Sequence, residues 1–121
     1  MIEPQYELDM YPMVKNRSVI NLYPTKLYVD WLNYIRGSNV CRSLNDIEPI
    51  SFLIKDFDNK SEFNSWLQTN FHLLFEIRLT YSSIDKSLWP EDRSFGVCNK
   101  WFDIGYSNLI LDLQDDPIKM I

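Results

Sequence analysis

Glycine, histidine and cysteine are all scarce in this sequence, and their scarcity removes several chemistries at the outset. The three glycines, Gly37, Gly96 and Gly105, stand far apart. Loops that cradle phosphate need closely spaced glycines so that backbone amides can approach the anion. Nucleotide binding through a Walker or dinucleotide-binding loop is therefore excluded. No serine sits in a G-x-S-x-G context, so a nucleophile elbow is missing too. Cys41 and Cys98 lack C-x-x-C spacing and His72 is the single histidine. A zinc site or disulfide scaffold is not indicated, both cysteines read as reduced thiols, and no cofactor is implied.

Long apolar runs are missing as well; none approaches the roughly 20 residues that cross a bilayer. The opening MIEPQYELDMYPM carries acids where a secretion signal needs lysine or arginine. These absences lead to the expectation of a cytoplasmic protein. Positive charge is also in deficit, with 12 basic against 17 acidic residues and a formal net charge of −5. The basic residues are scattered, whereas nucleic-acid and anionic-membrane surfaces need them clustered. Neither nucleic acid nor membrane is an expected partner; another protein is.

What remains is an apolar, aromatic-rich chain of single-domain size, 121 residues with 45% hydrophobic side chains. Residues 1–15 read as an N-terminal arm, 16–113 as one globular domain and 114–121 as a fraying tail. In the arm, Tyr6, Leu8 and Met10 alternate with acids, which would also suit an added edge strand. SVINLY at 18–23 predicts a strand ending at Pro24. Thr25 stands at an N-cap position, and Leu27, Trp31, Leu32 and Ile35 recur at helical spacing up to Gly37, a left-handed terminator. A second strand is expected around Ile50, Phe52 and Ile54. Asn59 and Glu62 form a capping-box pattern ahead of a helical face of Phe63, Trp66, Leu67, Phe71, Leu74 and Phe75. Helical and strand periods compete over 75–81; the in-phase face favours helix to about residue 79, with a break near Asn70. A short third helix spans Phe95 to Phe102, and a last strand runs from Asp103 with Leu109, Leu111 and Leu113 on one face.

The order strand, helix, strand, helix, helix, strand predicts an α/β (α+β) two-layer sandwich, a small three-stranded sheet with about three helices mainly on one face. The first crossover is long enough for a parallel, right-handed unit. The second sheet face is expected to carry some of Val19, Tyr23, Leu53, Phe57, Tyr106 and Ile110, and to be covered by residues 5–11 or by a second copy in a homodimer.

Chemistry-bearing residues are few. His72 falls with Gln68 and Glu76 on the polar side of its helix and reads as solvated. Asp56 and Asp58 close the second strand, and Asp103 and Asp112 flank the last; strand ends are where sites of α/β sheets lie, but aspartate there is also an ordinary turn or cap residue. The densest unusual composition is LWPEDRSFGVCNKWFD at 88–103. Tryptophan and arginine anchor protein interfaces, so Trp89, Glu91, Arg93, Trp101 and Asp103 are the candidate partner-binding residues, Trp89 before Pro90 being the better candidate for exposure. The structural alternative is Trp101 in the core, Trp89 shielding a loop and Arg93 paired with a nearby acid.

The segments NRSVI at 16–20, YVDWLN at 28–33, SLWPEDRSF at 87–95, WFDI at 101–104 and LDL at 111–113 resemble a group of small, uncharacterised bacterial proteins. The resemblance covers residues 16–113 and implies no activity and no catalytic residues. Residues 1–12 read as an extension beyond that pattern, and Gly96 and Gly105 stand where bulkier residues would be expected. The leading expectation is a non-catalytic binding or adaptor protein of antitoxin-like or immunity-like character. The alternatives are a small enzyme or metal site built on Asp56, Asp58, Asp103 and Asp112, and a homodimeric scaffold.

Overall fold

The strand expected at SVINLY forms with one residue more at each end, as β1 (Arg17–Pro24). In the computed structural model, which describes residues 12–37 and 44–121, β1 is the middle strand of a three-stranded sheet. Its partners are β2 (Ile50–Lys55) and β3 (Phe102–Ser107), in the order β2-β1-β3. Both pair antiparallel to β1. The parallel unit expected for the first crossover is thus corrected. Leu22, near the end of β1, lies opposite Ile50 at the start of β2, so the connection leaves and re-enters at the same end of the sheet. Its length permitted either direction.

Helix α1 (Lys26–Arg36) ends as expected at Gly37, whose φ of 56° is the left-handed conformation that glycine adopts without a Cβ penalty. Thr25 makes no side-chain cap to α1. Its hydroxyl donates to the carbonyls of Lys100 and Trp101, at 2.7 and 2.9 Å, tying the start of α1 to the chain entering β3. Helix α2 (Lys60–Ser82) runs unbroken for 23 residues, about 34 Å. Asn59 accepts from the Glu62 amide at 2.9 Å, while the Glu62 carboxylate accepts from the Asp58 amide at 3.2 Å, a capping box displaced by one residue. Residues 75–81 are helical because Phe75 and Leu79 are fully buried on the in-phase face. Asn70 does not break the helix, since its amide donates back to the Trp66 carbonyl at 2.8 Å. Helix α3 (Phe95–Trp101) is capped by Ser94, which accepts from the Val97 amide.

The three helices cover one sheet face. Ile20 and Leu22 of β1, Tyr28 and Leu32 of α1, five side chains of α2 and Phe102 of β3 belong to one buried cluster. Aromatic rings dominate it: Tyr28 lies 5.0 Å and Phe75 5.9 Å from Phe102, and Phe63 stacks on Tyr106 at 4.2 Å. Phe57 packs here too, 6.3 Å from Tyr106. Phe57 and Tyr106 were among the candidates for the opposite face. The strand pleat places Tyr106 in phase with Phe102 and Ile104, and Phe57 lies beyond the end of β2, where alternation no longer governs it.

The last strand is also shorter than its pattern. At Ser107 the side chain accepts from the Leu109 amide at 3.2 Å, a local turn that ends the ladder. Leu109, Leu111 and Leu113 are consequently exposed rather than on a core face. Beyond the turn, residues 110–112 pair with 12–14: Met13 bridges Leu111, and Val14 donates to Ile110 at 2.8 Å. This ribbon, with Ile118 and Met120, borders a hollow of about 380 Å³ that also exposes Leu53 on the open sheet face. The edge strand considered at Tyr6, Leu8 and Met10, the cover by residues 5–11, and Cys41 all lie outside the described residues. No described helix is long and apolar enough to cross a membrane.

Candidate functional site

The aromatic and charged segment at 88–103 does not form one patch. A short 3₁₀ turn, Lys86–Leu88, precedes Trp89. It is held by Asp85, which accepts from the Ser87 amide and hydroxyl, and these bonds keep the Asp85 carboxyl below its ordinary range. Trp89 is buried, with 8% of its surface exposed. Its indole N–H donates to the Ser83 carbonyl at 3.0 Å, and the Lys86 and Arg93 cations each stand 5.7 Å from its ring. Of the two readings, Trp89 follows the loop-shielding one and exposure before Pro90 is corrected: the carbonyl just beyond α2 supplies the partner that a buried indole needs. Arg93 donates to the Pro90 carbonyl at 2.9 Å, closing the loop over the tryptophan, and Glu91 is exposed. Trp101 is half-buried against Trp31 and Phe75, at 5.5 and 5.8 Å. Trp89 and Arg93 thus form a loop lock with Glu91 exposed on the same loop, while Trp101 packs apart from it among the core rings. Asp103 belongs to a different feature.

The carboxylates expected to share a site are dispersed. Asp56 accepts from the Ser18 hydroxyl at 3.1 Å and from the Phe57 amide at 3.0 Å, at the end of the sheet where β1 begins. Asp103 lies opposite Tyr23 at the other end. Ser18 and Tyr23 are five positions apart along β1, roughly 16 Å at the usual strand rise, far beyond shared metal coordination. Asp58 lies in the α2 cap through its amide, and the Asp112 carboxylate accepts from the Gln114 amide at 3.0 Å in the C-terminal ribbon. Among the described residues, no three His, Cys, Asp or Glu side chains group as metal ligands would. The Ser18, Asp56 and Tyr106 hydrogen bonds resemble a catalytic constellation only on paper, because Ser18 is wholly buried. Cys98 is equally inaccessible, and burial pushes its thiol up to about 11, away from the reactive thiolate. His72 is exposed on α2, as its position in the pattern implied.

The feature to which Asp103 contributes is a cleft of about 610 Å³ between α2, α3 and β3. Phe102, Ile104 and Tyr106 of β3 form one side, and Phe63, Leu67 and Phe95 of the helices the other. Lys60, Asn64 and Asn99 supply its polar margin, and Asp103 borders it within β3, at a position whose side chain alternates to the other sheet face. Helix α2 runs opposite in direction to β3 here, since Phe63 stacks on Tyr106 while Phe75 meets Phe102. Lys60 and Asp103 therefore sit toward opposite ends.

β3 is an edge strand, and the geometry of its ladder shows which groups face the cleft. Thr25 donates to the Trp101 carbonyl at 2.9 Å, so the pair ahead of Pro24 and Phe102 is hydrogen-bonded. Antiparallel pairs alternate, which makes Tyr23 with Asp103 and Asn21 with Gly105 the bonded pairs. The N–H and C=O groups of Phe102, Ile104 and Tyr106 then point away from β1. The Phe102 N–H is used by the Cys98 carbonyl at the end of α3. Those of Ile104 and Tyr106 have no backbone partner among the described residues.

No protein family matches the chain, and neither a curated protein nor a solved structure matches it. Sequence reasoning missed the cleft because Phe63, Leu67 and Phe95 carry the same apolar signature as core residues. The one available signal was Asp103, an acid next to an aromatic strand.

Proposed function

We propose that this chain is a non-catalytic protein-binding module, acting in the cytoplasm, whose binding surface is the cleft beside β3. The observation that carries the reading is the coincidence of a cleft walled by aromatic and aliphatic side chains with a sheet edge at which the outward backbone groups of Ile104 and Tyr106 have no backbone partner among the described residues. Supporting it are the net charge of −5, which suits a basic partner, and the scattering of the carboxylates, which removes the basis of the small-enzyme reading. An antitoxin-like or immunity-like role is the biological form that fits an acidic binder of this size.

The test is affinity capture from native cytoplasm with three proteins of verified fold: the wild type, an Asn64→Arg, Asn99→Arg variant that crowds the cleft mouth, and a Glu91→Ala, Arg93→Ala variant of the Trp89 loop. The reading requires a partner held by the wild type and the loop variant and lost from the cleft variant. Retention by the cleft variant would move the binding surface elsewhere.

A further inference from the structure

We propose that the segment received by this cleft is an extended peptide that joins β3 as a fourth strand, antiparallel to it; this rests on the protein-binding reading above. Two residues of β3, Ile104 and Tyr106, present an outward N–H and C=O each, the spacing at which an added strand forms its bonds. Edge strands are ordinarily guarded by lysine, proline or a bulge, because an open edge templates pairing. The opposite edge, β2, carries Lys55 and follows Pro49. The sequence of β3, FDIGYS, has neither residue. Gly105 in its centre stays close to β1: a Cβ there would stand 3.1 Å from the Tyr23 ring, on the face away from the cleft.

The cleft determines which peptide fits. A strand continuing the sheet points alternate side chains toward the helices, so residues opposite Ile104 and Tyr106 enter the space walled by Phe63, Leu67 and Phe95. Both positions call for apolar, β-branched side chains. The residue opposite Asp103 is on the other face and calls for a cation, directly cross-strand. At the far end, Lys60 calls for an acid on the cleft side. In an antiparallel strand the acid comes first and the cation last. A sequence of the form ETVTVKT meets every requirement, with its valines opposite Tyr106 and Ile104 and its lysine opposite Asp103. A second copy meets them less well, because its β3 side chains are already committed to its own cleft.

The experiment uses the full chain and three acetylated, amidated peptides: ETVTVKT, the charge-swapped KTVTVET, and ETVTVKT N-methylated at both valines. Amide exchange and shifts are followed by NMR up to about 1 mM peptide, a range that detects weak association. ETVTVKT is expected to bind and to slow exchange of the Ile104 and Tyr106 amides about tenfold at saturation, the loss of two strand hydrogen bonds on N-methylation weakening binding at least about tenfold. Charge swapping should weaken binding about fivefold, and Asp103→Lys should abolish or reverse that preference. Binding that shifts Asn99 while leaving the Ile104 and Tyr106 amides unchanged, and that tolerates N-methylation, overturns strand addition while the protein-binding reading stands. No binding of ETVTVKT overturns the proposal, and the capture experiment decides the broader reading separately. Slowed exchange of the two amides without peptide, growing with protein concentration, would show a second copy on the edge and also overturn it.

Discussion

Replacing Trp89 with alanine separates an interface anchor from a core residue. The side chain is 8% exposed, its indole N–H is bonded to the Ser83 carbonyl, and two cations lie over its ring. Deleting a buried aromatic of this size costs about 3–5 kcal/mol, and the Ser83 carbonyl loses its partner. The loss is a large share of the about 5–15 kcal/mol that stabilises a typical domain. At this chain length it corresponds to a fall in Tm of roughly 12–20 °C. Trp89→Phe keeps most of the packing but not the hydrogen bond, and should cost about 1–2 kcal/mol. Urea unfolding followed by circular dichroism measures both. A Trp89→Ala loss below about 1 kcal/mol, with binding abolished, would refute the argument and restore Trp89 as an exposed anchor.

Three further outcomes follow from the same packing. Gly96 lies in α3 with only the Ser94 Oγ within reach of an added Cβ, at 4.0 Å, so Gly96→Ala should stabilise by up to about 1 kcal/mol in the same assay. Ser18→Ala removes a wholly buried hydroxyl shared by Asp56 and Tyr106 and should destabilise by about 1–3 kcal/mol. Burial raises the Cys98 thiol from 9.0 to about 11. The unfolded state therefore loses its proton first, and stability is complete below about pH 9 and falls as pH rises toward 11. The full effect is about 2–3 kcal/mol, and Cys98→Ala should remove that dependence. The native thiol should also resist alkylation at pH 8 until the chain unfolds.

Most of the elements were legible because each obeys a local rule. Gly37 ends α1 at the one positive φ among the described residues, and the face from Phe63 to Phe75 keeps helical phase through Leu79. Asn59 caps α2 in the position its spacing implied. The failures came where a distant partner decides. Strand direction depended on where the 25–49 connection returns, not on its length. Trp89 beside a proline could be exposed or shield a loop, and the Ser83 carbonyl at the end of α2 decides for the second. The alternation from Leu109 to Leu113 looked like strand, yet the Ser107 side chain had already turned the chain. The candidate site was the least legible feature. Its walls come from α2, α3 and β3, remote in sequence, and its outward backbone groups carry no side-chain signature. Asp103 alone of the five proposed partner-binding residues lines it.

The most direct test of the open edge is amide exchange along β3 in the free protein. Asp103 and Gly105, whose amides face β1, should be protected, while Ile104 and Tyr106, whose amides face the cleft, should exchange far faster. That alternating pattern would establish an edge with its bonding groups available to a partner. Equal protection at all four positions would mean that the edge is already covered, and would contradict the account.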